Sequence, residues 1–156
     1  ILFDDFIKQI EYKKFESRHD YDPKFEKKGV WGIFHRDEMT FNLDHINEIT
    51  CKWGNSIRLV FDMNESGKLI WIYLYEGYKG KLLNRLGIGD RLDSVKDEFD
   101  FDFYGDAHYL KYKKGSPHYG DVVGVEIGTN YLVEYSEEYP DQIVIGFGVY
   151  IFRDQS

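Results

Sequence analysis

Ile57-Arg58-Leu59-Val60-Phe61-Asp62-Met63, Asn64-Glu65-Ser66-Gly67 and Lys68-Leu69-Ile70-Trp71-Ile72-Tyr73-Leu74-Tyr75 follow one another without interruption. The outer runs are rich in β-branched and aromatic residues, and the short polar connection between them ends in glycine. That combination predicts a β-hairpin. The 13 tyrosines and 12 phenylalanines of the chain suit the same kind of pleated, half-buried surface.

Downstream, Gly77 and Gly80 punctuate the exit from the hairpin. Asp90 is placed to cap a helix, and Leu92, Val95 and Phe99 recur at i, i+3 and i+7, which predicts a second short helix lying on the sheet. The pattern then returns to strands: Phe101 to Tyr104, Ala107 to Tyr112, Val122 to Ile127, Tyr131 to Tyr135 and Ile143 to Phe152. Gly128-Thr129-Asn130 and Tyr139-Pro140-Asp141 read as turns between the last three. Connections this short cannot hold crossover helices, so the strands should form an antiparallel meander.

Upstream, Leu2, Phe3, Phe6, Ile10 and Phe15 fall near helical spacing, which predicts an amphipathic helix over residues 2–16. Arg18 to Gly29, with Asp22-Pro23, reads as a loop, Val30 to Phe34 as a strand, and Asp44 to Thr50 as a helical or irregular turn. The fold class expected is α+β: a mainly antiparallel, twisted sheet with an N-terminal amphipathic helix and a second short helix packed on it. With 156 residues and no linker-like tract, 1–156 reads as a single domain.

Charge is unevenly placed. Residues 1–89 carry 14 acids and 14 bases, whereas residues 90–156 carry 14 acids against 6 bases, so the net charge of -8 resides in the second part. An acidic surface repels nucleic acid and anionic membrane and steers basic partners into encounter. No run of about 18 apolar residues is present to span a bilayer. Ile1-Leu2-Phe3 meets Asp4 and Asp5 at once, unlike the apolar core of a signal peptide. Cys51 is the one cysteine, so an internal disulfide is impossible, and a cytoplasmic location is the expectation.

Catalytic patterns fail on spacing. The histidines His19, His35, His45, His108 and His118 form no helical metal pair and have no second cysteine to partner them. His35-Arg36-Asp37 lacks the rest of a kinase signature. Asp100, Asp102 and Asp106 imitate the start of a calcium loop, but Tyr104 and Lys111 stand at the fifth and twelfth positions. Cys51 beside Trp53 reads as core packing. Gly87-Ile88-Gly89 runs into Asp90, which would repel a phosphate. Lys111, Lys113 and Lys114 beside Tyr109 and Tyr112 read as an edge strand guarded by lysine, the alternative being an edge that accepts a partner's strand. The expectation is a protein without catalytic residues, metal or cofactor.

The stretch from Gly77-Tyr78-Lys79-Gly80 through Ile88-Gly89-Asp90 to Phe99 resembles one family, and so do the glycine-broken strand Val122 to Ile127 and the closing strand from Ile143. These are the small, acidic immunity proteins of bacterial contact-dependent growth inhibition and related polymorphic toxin systems. The resemblance covers residues 57–152 in character, and no residue role is transferred by match. It implies a tight protein–protein inhibitor that binds a cognate toxin, commonly a basic nuclease, and occludes its active site.

The acids placed for such a partner are Asp97, Glu98, Asp100, Asp102 and Asp106, then Glu134, Glu137, Glu138 and Asp141, with Tyr104, Tyr135 and Tyr139 as aromatic anchors. Two other classes stay open. A small-ligand or carbohydrate-binding domain would gather Trp31, Trp53 and Trp71 around a concavity. A small hydrolase would hold carboxylates of shifted pKa in a cleft.

Overall fold

The hairpin read from residues 57–75 forms in the computed structural model, which describes residues 1–16, 20–35, 47–139 and 141–150. The chain is α+β and dominated by strands. It separates into two compact units, residues 1–73 with 151–156, and residues 74–150.

The first unit contains helix α1 (Phe3–Ile7) and strands β1 (Glu11–Phe15), β2 (Val30–His35), β3 (Glu48–Trp53), β4 (Ile57–Asp62) and β5 (Lys68–Tyr75), the last ending just past the boundary. Neighbours in the sheet run β1-β2-β3-β4-β5. β2, β3 and β4 are antiparallel, but β1 lies parallel to β2, so the sheet is mixed. The β4–β5 turn is made by its own residues: the Asp62 carboxylate accepts from Asn64 N–H at 2.9 Å. Ser66 and Gly67 then take positive φ, 58° and 72°, and bring Gly67 N–H to Asp62 O at 3.0 Å.

Cross-strand register places Ile33, Cys51 and Leu59 side by side, with Ile49 opposite Phe61. α1 covers this face: Phe3 and Phe6 meet the Phe61 ring at 5.4 and 5.5 Å, and Phe6 meets Trp31 edge-on. On the opposite face Tyr21 lies over Gly32, and its hydroxyl accepts from Gly54 N–H at 2.7 Å.

The helix expected over 2–16 is therefore corrected to five helical residues followed by a strand. A lone helix of that length is marginal in water. Pairing of residues 11–15 with β2 wins, with Phe15 stacking on Phe34 at 5.5 Å. The turn expected over Asp44 to Thr50 is corrected where it is described: Glu48 to Thr50 open β3, while 44–46 lie outside the described residues.

In the second unit β6 (Lys81–Leu82) and β7 (Leu86–Gly87) make a small hairpin. β8 (Phe99–Tyr104), β9 (Ala107–Tyr112), β10 (Val122–Thr129) and β11 (Val144–Tyr150) are consecutive antiparallel neighbours. Leu86, Leu92, Val95, Phe99, Leu110, Val125, Ile127, Val144 and Phe147 form its core. β8 and β9 are joined by Gly105-Asp106 at φ 57° and 66°, the primed turn that matches strand twist.

Five expectations change here. The second helix is a single 3-10 turn, Leu92–Val95. Residues three apart eclipse in such a turn, so Leu92 and Val95 enter the core together, and Phe99 follows them from β8. Asp90 does not cap it, because its carboxylate accepts from Gly87 N–H at 2.8 Å. Gly128 and Thr129 belong to β10, and Tyr131 to Tyr135 form a loop instead of a strand. The lysine-bearing β9 lies between β8 and β10, so the outer strand is β8. Pro140, Ile151 and Phe152 lie outside the described residues.

Candidate protein-binding surface

The loop from Asn130 to Gln142 leaves β10 and returns to β11 with its ends clamped. Asn130 N–H donates to Ile143 O at 3.0 Å, and the Asn130 side chain accepts from Ile143 N–H at 2.7 Å and donates to Asp141 O at 3.3 Å. At its foot, Thr129 Oγ1 donates to Tyr131 O at 2.7 Å. Buried Gln142 fills the inside and donates from Nε2 to Val133 O at 3.0 Å. Ser136 holds the far side, its Oγ accepting from Glu138 N–H and its carbonyl from Tyr139 N–H. A loop whose ends meet and whose interior is filled by its own side chains is an Ω-loop, a form that often carries function.

Its backbone needs leave apolar side chains outside. Tyr131, Leu132, Val133 and Tyr139 are 45%, 63%, 41% and 47% exposed, and the two tyrosine rings lie 6.0 Å apart. Glu134, Glu137, Glu138 and Asp141 are exposed on the same loop. Tyr135 turns inward, its ring edge-on to Phe101 at 5.0 Å. Exposed apolar side chains gathered on one loop among acids are a common feature of contact surfaces on small proteins.

The remaining expected residues fall elsewhere. Arg85 binds Asp97 at 2.8 Å and Glu98 at 2.7 Å through its two terminal nitrogens. The hydrogen bond from Arg85 holds the Asp97 carboxyl below its ordinary pKa. Asp100 faces Lys113 at 3.9 Å and Asp102 pairs with Lys111 on β9. Tyr104, 79% exposed, and Asp106 stand at the β8–β9 tip. Glu137 is reached by Lys96 at 3.2 Å. The twelve residues thus divide between the Ω-loop, an Arg85 cluster, and β8 with its turn to β9. Tyr131, Leu132 and Val133 were missed as exposed loop residues because a β-rich triplet looks the same exposed or buried; Gly128-Thr129-Asn130 was their only local signal.

Burial pushes the Cys51 thiol up to about 12, which keeps it protonated. His108 is fully buried beside Phe101 and Phe103, and burial lowers its pKa below the ordinary imidazole value. Asp90 and Asp93 are lowered as well, Asp90 chiefly by Gly87 N–H and Asp93 chiefly by Arg91. A general acid needs a shift in the opposite direction. Among the described residues no three His, Cys, Asp or Glu side chains converge as a metal set.

Trp31 and Trp53 meet at 5.3 Å on one face of the first unit. On the other face Trp71 stacks on Tyr73, whose ring lies under Arg58, so the three do not share a concavity. A cavity of about 570 Å³ lies in the second unit, with Tyr75, Tyr78, Ile88 and Ile145 among its walls and Lys81 and Asp90 3.4 Å apart at its margin. No family model matches the chain, and no curated protein or solved structure matches it.

Proposed function

We propose that this chain is a non-catalytic protein-binding domain that docks a basic protein through its second unit. The observation that carries the reading is the Ω-loop, which presents Tyr131, Leu132, Val133 and Tyr139 within a rim of Glu134, Glu137, Glu138 and Asp141. Apolar anchors supply affinity once water is excluded, and the acids speed encounter with a positive surface. Pairing of Asp97, Glu98 and Glu137 with Arg85 and Lys96 lowers the local charge, so contact weight falls on the apolar residues.

The partner we favour is the one implied by the resemblance to contact-dependent inhibition immunity proteins: a basic, nuclease-type toxin domain whose active site is occluded in the cytoplasm. The acidic excess after residue 89 supports it, because an enzyme built to attract phosphate also attracts carboxylates. Affinity capture with the parent chain and with Leu132→Asp, at low and moderate salt, tests it. Near-equal recovery of a basic protein by the parent, lost with Leu132→Asp, is the expected result. Equal recovery by both would sink the Ω-loop as the contact.

The cavity beside Tyr78 favours a second reading. Its volume falls in the range of small-molecule sites, about 300–1,000 Å³. Stabilisation of the parent by a screened sugar or metabolite, abolished by Gly80→Phe, would support it.

A further inference from the structure

We propose that the outer edge of β8 accepts an extended segment of a basic partner as an added strand, with lysine or arginine at alternate positions facing Asp100 and Asp102. The inference rests on the reading of the second unit as a surface for a basic protein and assigns it a mode of attachment.

β8 ends the strand row of its unit. Lys113 N–H donates to Glu98 O at 3.0 Å, which makes Glu98 and Lys113 a hydrogen-bonded pair. Such pairs recur at every second residue of an antiparallel ladder. Asp100, Asp102 and Tyr104 therefore turn their backbone groups toward Lys111, Tyr109 and Ala107. The N–H and C=O groups of Phe99, Phe101 and Phe103 point away from β9; Phe99 is buried, so the open stretch is that of Phe101 and Phe103. Among the described residues no other backbone group bonds to them. An edge of this kind is a template for another strand.

The side chains state which strand fits. Asp100, Asp102 and Tyr104 alternate with Phe99, Phe101 and Phe103, so one face of the edge is acidic and the other aromatic. Lys111 uses Oδ2 of Asp102, and Lys113 lies nearest Oδ1 of Asp100. The second oxygen of each carboxylate stays open on side chains 54% and 67% exposed. Opposite charges placed directly across a strand pair attract, and like charges repel. A second copy of β8 would set acid against acid, whereas a strand alternating basic and apolar residues meets Asp100 and Asp102 on one face. On the other face it meets Phe101 with the Tyr135 ring.

The test uses the full chain, isotope-labelled, and a synthetic peptide alternating lysine with valine and threonine. A peptide of the same composition with its lysines contiguous is the control. Hydrogen exchange at the amides of Phe101 and Phe103 should slow by about tenfold or more with the alternating peptide, while those of Asp100, Asp102 and Tyr104 change little. The double variant Asp100→Lys/Asp102→Lys should lose that protection and gain it with an alternating glutamate peptide. Binding without protection at Phe101 and Phe103, or equal binding of the contiguous-lysine peptide, would overturn strand addition while leaving a basic partner in place. Protection that appears without peptide and grows with protein concentration would assign the edge to a second copy. Failure of the alternating peptide to bind would also overturn it, and capture by the Leu132→Asp variant would still judge the parent reading separately.

Discussion

Asn130 and Ile143 close the Ω-loop on each other: the Asn130 backbone donates to Ile143 O, and the Asn130 side chain accepts from Ile143 N–H at 2.7 Å. The exposed loop thus stands on an amide side chain that replaces a missing ladder bond.

Asn130→Ala removes that acceptor and the donor to Asp141 O, and should cost about 1–3 kcal/mol by denaturant unfolding. Asn130→Asp keeps an acceptor for Ile143 N–H and should cost less. The Ile143 amide should exchange faster in the alanine variant, and an unchanged exchange rate would remove the clamp from the account.

His108 gives the fold an acid limb. Burial lowers its native pKa, so the unfolded chain binds a proton that the native chain does not. Stability should therefore fall as pH drops below about 6.5, the ordinary imidazole value, until the lowered native pKa is passed. His108→Leu should flatten that limb in unfolding curves taken across the window. The groups around the ring are Phe101 and Phe103, the backbones of Ile127 and Val133, and Glu134, whose charge opposes the lowering.

Cys51, fully buried and with its thiol raised to about 12, should react with an aromatic disulfide reagent only at the rate of unfolding. Cys51→Ser should cost more stability than Cys51→Ala, because a hydroxyl among Ile33, Ile49 and Phe61 has an apolar shell. Rapid labelling under native conditions would contradict the burial.

A methyl group at Gly32 would lie 2.5 Å from the Tyr21 ring. Gly32→Ala should cost about 1–3 kcal/mol through overpacking. The pair Gly32→Ala/Tyr21→Ala should cost less than the sum of its members, and additive costs would show that the ring is not what the methyl meets.

These residues also show where sequence reading succeeds. The 57–75 hairpin, the strand from Val30, the strand from Ala107 and the buried Cys51 were legible because composition, periodicity and turn residues agree locally. The 2–16 helix failed because Phe15 satisfies helical spacing and strand packing equally well, and Phe34 and Tyr21, distant in sequence, decide between them. The second helix failed for a related reason, since i and i+3 coincide in a 3-10 turn as well as in an α-helix.

For the contact surface, the amino-acid order by itself determined that the acidic excess falls after residue 89, and that Glu134, Glu137, Glu138 and Asp141 cluster within one short stretch. It also determined the alternation of acid and aromatic from Phe99 to Tyr104. Tertiary structure alone decided that Arg85 and Lys96 neutralise part of that charge, and that β8 stands outermost. It also decided that Tyr131, Leu132 and Val133 face water. The reason is physical: charge and periodicity are properties of neighbours along the chain, whereas pairing, edge position and exposure depend on residues brought together from far apart in it.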